Sequence, residues 1–324
     1  VSRDLILKYG YFAIKNRNKE DMLTKTIHEG ISDESNYFRK MEGMAYPAIT
    51  SSVVSNSLIF IPNDKKEREK IATILSNVDN LIESTEKVIT HSKKVKKGLM
   101  QKLFTRGIGH TKFKKVPWLF GKEIEIPEEW EVTTIGDKSH VTLLAGFEWT
   151  EHITLSDIGE VGIIRAQNVK KGIFLNNNIK FISNQVSNSL PRSKLHGTEV
   201  LFVWIGEVGN VCISPDGNWH LGKNVAKITP NENMDKEFLC YFLQSTLGKK
   251  NSTSESKDNV QPSINMATIR KFRLLLTSIK EQQKIASILS NVDTEIESQT
   301  KYKEKLQKLK KSLMQKLLTG EVRV

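Results

Sequence analysis

The chain of 324 residues has only two cysteines and eight prolines, and it has no apolar run approaching the roughly 18 residues of a membrane-spanning helix. Cys212 and Cys240 cannot make a disulfide framework or a four-ligand zinc site, and their apolar neighbours predict buried filler. The N-terminus lacks the basic-then-apolar plan of a signal peptide, so a soluble, cytoplasmic protein is expected, with no membrane partner. Seven histidines are scattered, with no His-x-x-x-His, Cys-x-x-Cys or Gly-x-Ser-x-Gly arrangement. Gly217-Asn-Trp-His-Leu-Gly222-Lys223-Asn224 follows phosphate-loop spacing until its last position, where Asn replaces the magnesium-holding Ser or Thr. With strands on both flanks and no helix to follow, it reads as a glycine turn. No catalysis, cofactor or metal is expected.

A repeat, by contrast, is plain. A shift of 214 residues lays Ile71-Ala-Thr-Ile-Leu-Ser-Asn-Val-Asp79 on Ile285-Ala-Ser-Ile-Leu-Ser-Asn-Val-Asp293, and Leu99-Met-Gln-Lys-Leu103 on Leu313-Met-Gln-Lys-Leu317. One position of the fourteen differs. Each copy opens with capping-box spacing, Asp64-Lys-Lys-Glu67 and Ser278-Ile-Lys-Glu281, which predicts a cap side chain on the third helical N–H and a Glu reaching back. Apolar residues then alternate at gaps of four and three, through Ile71, Leu75, Val78 and Ile82 and through Ile285, Leu289, Val292 and Ile296. This is a heptad seam. It turns polar at Thr85 and Gln299 and resumes at Val95, Leu99 and Leu103 and at Leu306, Leu309, Leu313 and Leu317. The spacing predicts two helical rods of roughly 60 Å whose seams suit each other.

The formal charge of +12 makes a polyanion the default partner. The excess of Lys and Arg over Asp and Glu is five for residues 64–106 and four for 278–324, against two for the longer stretch 107–277. Lys93, Lys94, Lys96 and Lys97 either follow phosphates or form a solvated helical face, and for any single lysine the solvated face is the better account.

The predicted organisation is a short leader (1–63), a first long helix (64–107), a complete mixed domain (108–277) and a second long helix (278–324). Pro47 to Pro62 precedes the first helix much as Pro262 to Leu276 precedes the second, so the leader reads as the tail of a domain whose complete version lies between the helices. The chain begins at Val1, which fits a trimmed, truncated or misannotated start. Within 108–277, Pro127-Glu-Glu-Trp130 feeds a strand at Glu131–Thr134. Further strands are predicted at 162–165, 173–175, 180–182, 200–205, 211–214 and 225–229. Helices are predicted at 183–190, 234–247 and 265–272, with a polar loop at 249–261 that is disordered surface or a binding loop.

Residue types that pair with base edges and phosphates recur in this domain. They are Arg165, Gln167 and Asn168; Lys170 and Lys171; Arg192 and Lys194; Asn210 in the turn Gly206–Asn210; Trp219 and His220 with Lys223 and Asn224; and Lys249, Lys250, Asn251, Lys257, Asn259 and Gln261. Each is weak alone, since exposed Lys and Asn are common.

The repeat, the segment Ile126-Pro-Glu-Glu-Trp-Glu-Val132, the Gly206-x-x-Gly209 turn with Asn224 downstream, and the helix starts Glu67-Arg-Glu-Lys-Ile-Ala72 and Glu281-Gln-Gln-Lys-Ile-Ala286 together carry a resemblance. Over nearly its whole length the chain resembles the DNA-specificity subunit of type I restriction-modification systems. The resemblance implies an α+β architecture, with mixed α/β target-recognition domains alternating with two long helices that pack as an antiparallel coiled coil. It also implies double-stranded DNA as ligand and a bipartite target. The implied partners are adenine methyltransferase (modification) subunits and a translocase/endonuclease (restriction) subunit, with no catalysis of the chain's own. The first recognition domain is far shorter than the family's pattern, which implies a remnant and leaves open a self-dimer or a coiled-coil scaffold.

Overall fold

The computed structural model describes residues 61–255 and 263–324. In chain order the elements are α1 (Lys65–Arg106), β1 (Phe113–Pro117), β2 (Glu123–Pro127), β3 (Glu131–Thr134), α2 (Ile135–Lys138), β4 (Ser139–Leu143), α3 (Gly146–His152), β5 (Val161–Ile164), β6 (Val169–Lys170), β7 (Ile173–Phe174), β8 (Lys180–Ile182), α4 (Asn184–Ser189), β9 (Lys194–Leu195), β10 (Val200–Val203), β11 (Val211–Ile213), β12 (Trp219–Leu221), β13 (Val225–Pro230), α5 (Lys236–Gln244), α6 (Thr246–Glu255), α7 (Met266–Arg270), β14 (Arg273–Leu276) and α8 (Ile279–Leu318). The expected leader domain lies outside the described residues up to position 60.

The chain forms two compact units. The first holds, among described residues, 61–91 and 295–324. Here Ile71 and Leu75 near the start of α1 are buried with Met314, Leu317 and Leu318 at the end of α8, and Leu313 packs against them. The pairing is antiparallel. Lys310 and Lys303 meet Asp79 and Glu86.

The second unit spans 92–294. Its two main sheets have strand orders β11-β10-β13-β4 and β8-β5-β12-β9, all pairs antiparallel except β5 with β12. Three two-stranded ladders (β1-β2, β3-β14 and β6-β7) complete it. Met100, Leu103 and Phe104 from α1 and Ile285, Ala286 and Leu289 from α8 share its main core with Trp130, Phe202, Phe238 and Phe242. Again the end of α1 meets the start of α8. Phe104 is fully buried and packs edge-on to Phe238 and Phe242, with centroids 5.3 and 5.5 Å away, a burial of about 1.5–3 kcal/mol for one side chain.

Three expectations change. Val95 and Leu309, which the seam was expected to include, are exposed at 41% and 48%. The heptad register instead turns Lys96 and Lys310 inward, and the 214-residue shift maps one onto the other. Lys96 Nζ lies 2.7 and 2.6 Å from the Asp293 oxygens, Tyr241 Oη donates to Asp293 at 2.9 Å, and the ammonium sits 5.0 Å from the Tyr241 ring centroid. Asp79, the repeat-mate of Asp293, receives Lys310. A seam lysine matched by one carboxylate fixes register, because a slip would leave both charges half-buried and unpaired.

The capping boxes are not made as expected: only Ser278 caps the third helical N–H, and Asp64 caps the second. Asp64 accepts from Lys66 N–H at 2.9 Å and Ser278 from Glu281 N–H at 3.4 Å, but neither Glu reaches back. Glu67 instead takes a bidentate pair from Arg323 at 2.7 and 2.8 Å, a stronger partner than an exposed amide. Glu281 accepts from Ile108 N–H (2.8 Å), Trp130 Nε1 (3.0 Å) and the Thr277 hydroxyl, and contacts His110 Nε2 at 2.9 Å. It thereby ties the exit of α1 and the Pro-Glu-Glu-Trp segment to the start of α8. Gly107, at φ +61°, is required here, since a Cβ would lie 2.6 Å from Glu281 Oε1.

Third, the helix expected over 234–247 breaks at Ser245, and α6 takes up the first half of the expected polar loop. Asn251 is buried, receiving Arg273 N–H at 2.8 Å and donating to Arg273 O at 3.1 Å. Segment 249–255 is thus a helix anchored on β14. Of the other expected helices, 183–190 forms as α4 capped by Ser183, and 265–272 as α7 capped by Asn265.

Candidate nucleic-acid interface

Strand register brings several loops to one end of the second unit. Val203 pairs with Val225, closing β10 against β13, and just beyond, Trp204 N–H donates to Asn224 O at 3.1 Å. Ile264 N–H donates to Trp204 O at 3.0 Å, and Ile205 bridges Ser263. On the other side of β13, Leu143 pairs with Ala226, so β4 runs out toward Ala145 and α3 at this same end. The second sheet delivers Arg165 and Lys223 beside them: β5 and β12 run parallel with Ile164 opposite Leu221, and Gly222 N–H donates to Ile164 O at 2.9 Å. Gly222 has no alternative, because a Cβ would lie 2.5 Å from that oxygen.

The turn Gly206–Asn210 closes with Gly209 N–H on Val203 O at 3.0 Å, both glycines at φ +91°. The hairpin of β6 and β7 turns through Lys171 (φ +44°) and Gly172 (φ +91°), the two positive values a tight two-residue turn requires. Gly172 N–H reaches Val211 O at 2.7 Å and Lys170 reaches Glu207 at 3.1 Å, which holds the hairpin tip against the turn. Hydrogen bonds from Lys170 and Asn210 hold the Glu207 carboxyl below the ordinary glutamate range.

Of the candidates, Gln167, Lys171 and Lys223 are exposed here, and Arg165, Lys170, Asn210 and Asn224 are half-buried. Arg165 Nη2 donates to Asn178 O at 2.6 Å. Lys249 is exposed and Lys250 half-buried on α6, whose Ser252 Oγ approaches Gly209. Lys257, Asn259 and Gln261 lie outside the described residues. Arg192 is exposed and pairs with Glu148 at 2.6 Å, and Lys194 bonds Asn188.

Three candidates serve the interior, as Asn251 does. Asn168 is fully buried, accepting from Arg165 N–H at 3.1 Å and donating to Leu175 O and Asn177 O at 3.1 and 3.0 Å, so it shapes the loop that presents Arg165. His220 is fully buried between Leu221 O and Leu190 O. Burial outweighs those two carbonyls and holds it below the ordinary histidine range. Trp219 stacks edge-on with Phe174 at 5.0 Å and covers Gly162. Both cysteines are buried free thiols, and burial pushes Cys240 up to about 12, so neither is a reactive thiolate.

Sequence reasoning passed over α3. Glu148 is buried, accepting from Ala145 N–H at 2.8 Å and from Arg192. Burial alone would raise its carboxyl, but those two donors hold it below the ordinary range. Next to it Phe147 is 62% exposed. It ends the apolar run Leu143-Leu-Ala-Gly-Phe147, where residue type alone does not tell an exposed ring from a buried one.

Among the described residues no group of three or more His, Cys, Asp or Glu could hold a metal ion, and no helix is long and apolar enough to cross a membrane. The end of the unit offers cations, amides and an aromatic ring on short, hydrogen-bonded loops, an arrangement suited to a polyanion with readable edges.

The profile of the type I restriction modification DNA specificity domain matches residues 127–308. The chain is similar to the type I restriction enzyme MjaVIII specificity subunit of Methanocaldococcus jannaschii, 31% identical over 297 residues, which cover 87% of this chain and 66% of that protein. The putative type I restriction enzyme MjaX specificity subunit of the same organism is 31% identical over 262 residues, covering 80% and 58%. The chain thus spans less than two thirds of the length of these relatives. In fold it is similar to the S subunit of the type I restriction-modification system from M. genitalium, with a TM-score of 0.56 at 16% identity over 96% of this chain and 72% of that one.

Proposed function

The chain belongs to the type I restriction-modification DNA specificity family, and from that premise we propose that it reads double-stranded DNA sequence and has no catalytic role of its own. In this reading, residues 108–277 form the recognition module and 64–107 and 278–324 are spacer helices. Residues 1–63 correspond to the C-terminal part of the first target-recognition domain, and 108–277 to the second. The observation that carries the reading is the convergence of Arg165, Lys171, Asn210, Lys223 and Asn224 at one end of the second unit, on loops fixed by backbone hydrogen bonds. The partners are adenine methyltransferase subunits and a translocase/endonuclease subunit, in the cytoplasm, and the target is bipartite. Two copies of this chain reading together would give a palindromic target, whereas a full-length start with a complete first module would let each module read its own half-site.

The test is duplex binding by the chain assembled with its methyltransferase subunits, measured across a salt series. The logarithm of the binding constant should fall against log salt at about −0.9 per phosphate contacted. Lys171→Gln and Lys223→Gln should each lower that slope by roughly one. A flat salt response would argue against DNA as the ligand.

A further inference from the structure

We propose that Phe147 is a base-contacting residue, an apolar wedge placed against a base step beside the Lys223–Asn224 loop. This deepens the DNA-reading function above and depends on it. A single exposed apolar side chain is ordinary on a protein surface; Phe147, 62% exposed in the first turn of α3, is set apart by its place beside the Lys223–Asn224 loop. Its neighbours hold it out. Glu148 turns inward to Ala145 N–H and Arg192, and Trp149 N–H donates to Ala145 O at 3.0 Å while its ring packs on Leu144, Val161 and their neighbours. Gly146 has nothing within 4 Å of where a Cβ would stand, so the backbone beside the ring is open to close approach. The β4–β13 register, with Leu143 opposite Ala226, brings the chain past Leu143 alongside Asn224.

The surroundings favour nucleic acid over protein. The strand register sets α3 beside loops that carry Lys223, Asn224 and Arg165; of the two carboxylates on α3, Glu148 is buried and neutralised by Arg192, and Glu151 is exposed one turn on from Phe147. Apolar side chains inserted at base steps, or laid against a thymine methyl, supply affinity that does not displace counterions. Loss of such a contact therefore has its own signature.

The experiment uses the chain assembled with its methyltransferase subunits and its methylated target as a duplex. Phe147→Ala should weaken binding by roughly 5- to 150-fold, the range for loss of one base–aromatic contact, with the salt slope unchanged. Phe147→Trp should keep most of the affinity. The thermal midpoint should stay within about 1 °C, as for other exposed positions. Phe147→benzoylphenylalanine should photo-cross-link to the duplex. The proposal is overturned if Phe147→Ala binds as tightly as the parent chain, or if that variant fails to assemble with the methyltransferase without DNA. Cross-linking to a protein subunit alone would likewise assign the ring to a protein contact. A parent assembly with a flat salt response would overturn the DNA reading itself, a result separate from any effect of the ring.

Discussion

Replacing Glu281 by glutamine removes one charge and swaps one acceptor oxygen for a donor group at the point where three segments meet. The side chain is only 12% exposed, and its two oxygens serve Ile108 N–H, His110, Trp130 Nε1 and Thr277. His110 can change tautomer and Thr277 can rotate, but Ile108 N–H and Trp130 N–H can only donate. Whichever way the amide points, one of them faces an NH2 group. An unsatisfied buried donor costs about 1–3 kcal/mol, and loss of the charge on the remaining bonds adds to it, so we expect ~2–4 kcal/mol. At roughly 2–4 °C per kcal/mol for a unit of this size, the midpoint falls by about 5–15 °C. The transition can be followed by Trp130 fluorescence, with Trp130→Phe as control, and the double variant should lose less than the sum of the singles. Burial alone would raise the Glu281 carboxyl, but hydrogen bonds from Thr277, Ile108 N–H, His110 and Trp130 hold it below the ordinary value of 4.5. A depressed carboxyl stabilises above its unfolded value and loses that contribution as pH falls through the folded one. The gap between parent and Glu281→Gln should therefore be full at pH 7 and close progressively below about pH 4.5. A midpoint within 1 °C of the parent at pH 7, or a gap independent of pH, would refute the account.

Other outcomes follow from the helix pairing. Cysteines replacing Leu75 and Leu313 should cross-link readily, since both belong to one cluster of the first unit; preferential cross-linking of the Leu75 and Leu289 positions would sink the antiparallel arrangement. If the long helices set the distance between half-sites, four residues inserted near Thr85 add about 6 Å and should lengthen the unread spacer by roughly one to two base pairs, given about 34–36 Å per 10–10.5 base pairs. Mapping methylated sites in cells carrying the insertion decides it, and an unchanged spacer would remove the ruler.

The repeat and the α-helical rods were legible because heptad spacing is local, and Ile71, Leu75, Ile285 and Leu289 are buried where that spacing put them. The turn inward at Lys96 was not, because its burial depends on Asp293 and Tyr241, distant in sequence. Glu67 and Glu281 had capping spacing, but charged or buried tertiary donors outbid a neighbouring amide. Strand cores such as Val200–Val203 stood out by β-branching, whereas β1 and β9 are short and mostly polar and take their form from the strands they pair with, and β2 is a short Glu-Ile alternation whose Ile126 joins the main core. Residue type could nominate Asn168, His220 and Asn251 for base contacts but says nothing of burial, which long-range packing decides.

If residues 108–277 choose the bases, the exchange of residues 116–273 within them is decisive. Replacing 116–273 with the corresponding segment of a relative of different specificity, in the assembly with its methyltransferase subunits, and mapping the methylated sites tests this directly. The bases read should change to those of the donor while the spacer between them stays the same. A replacement that folds, assembles and methylates, yet leaves every read base as before, would contradict the account.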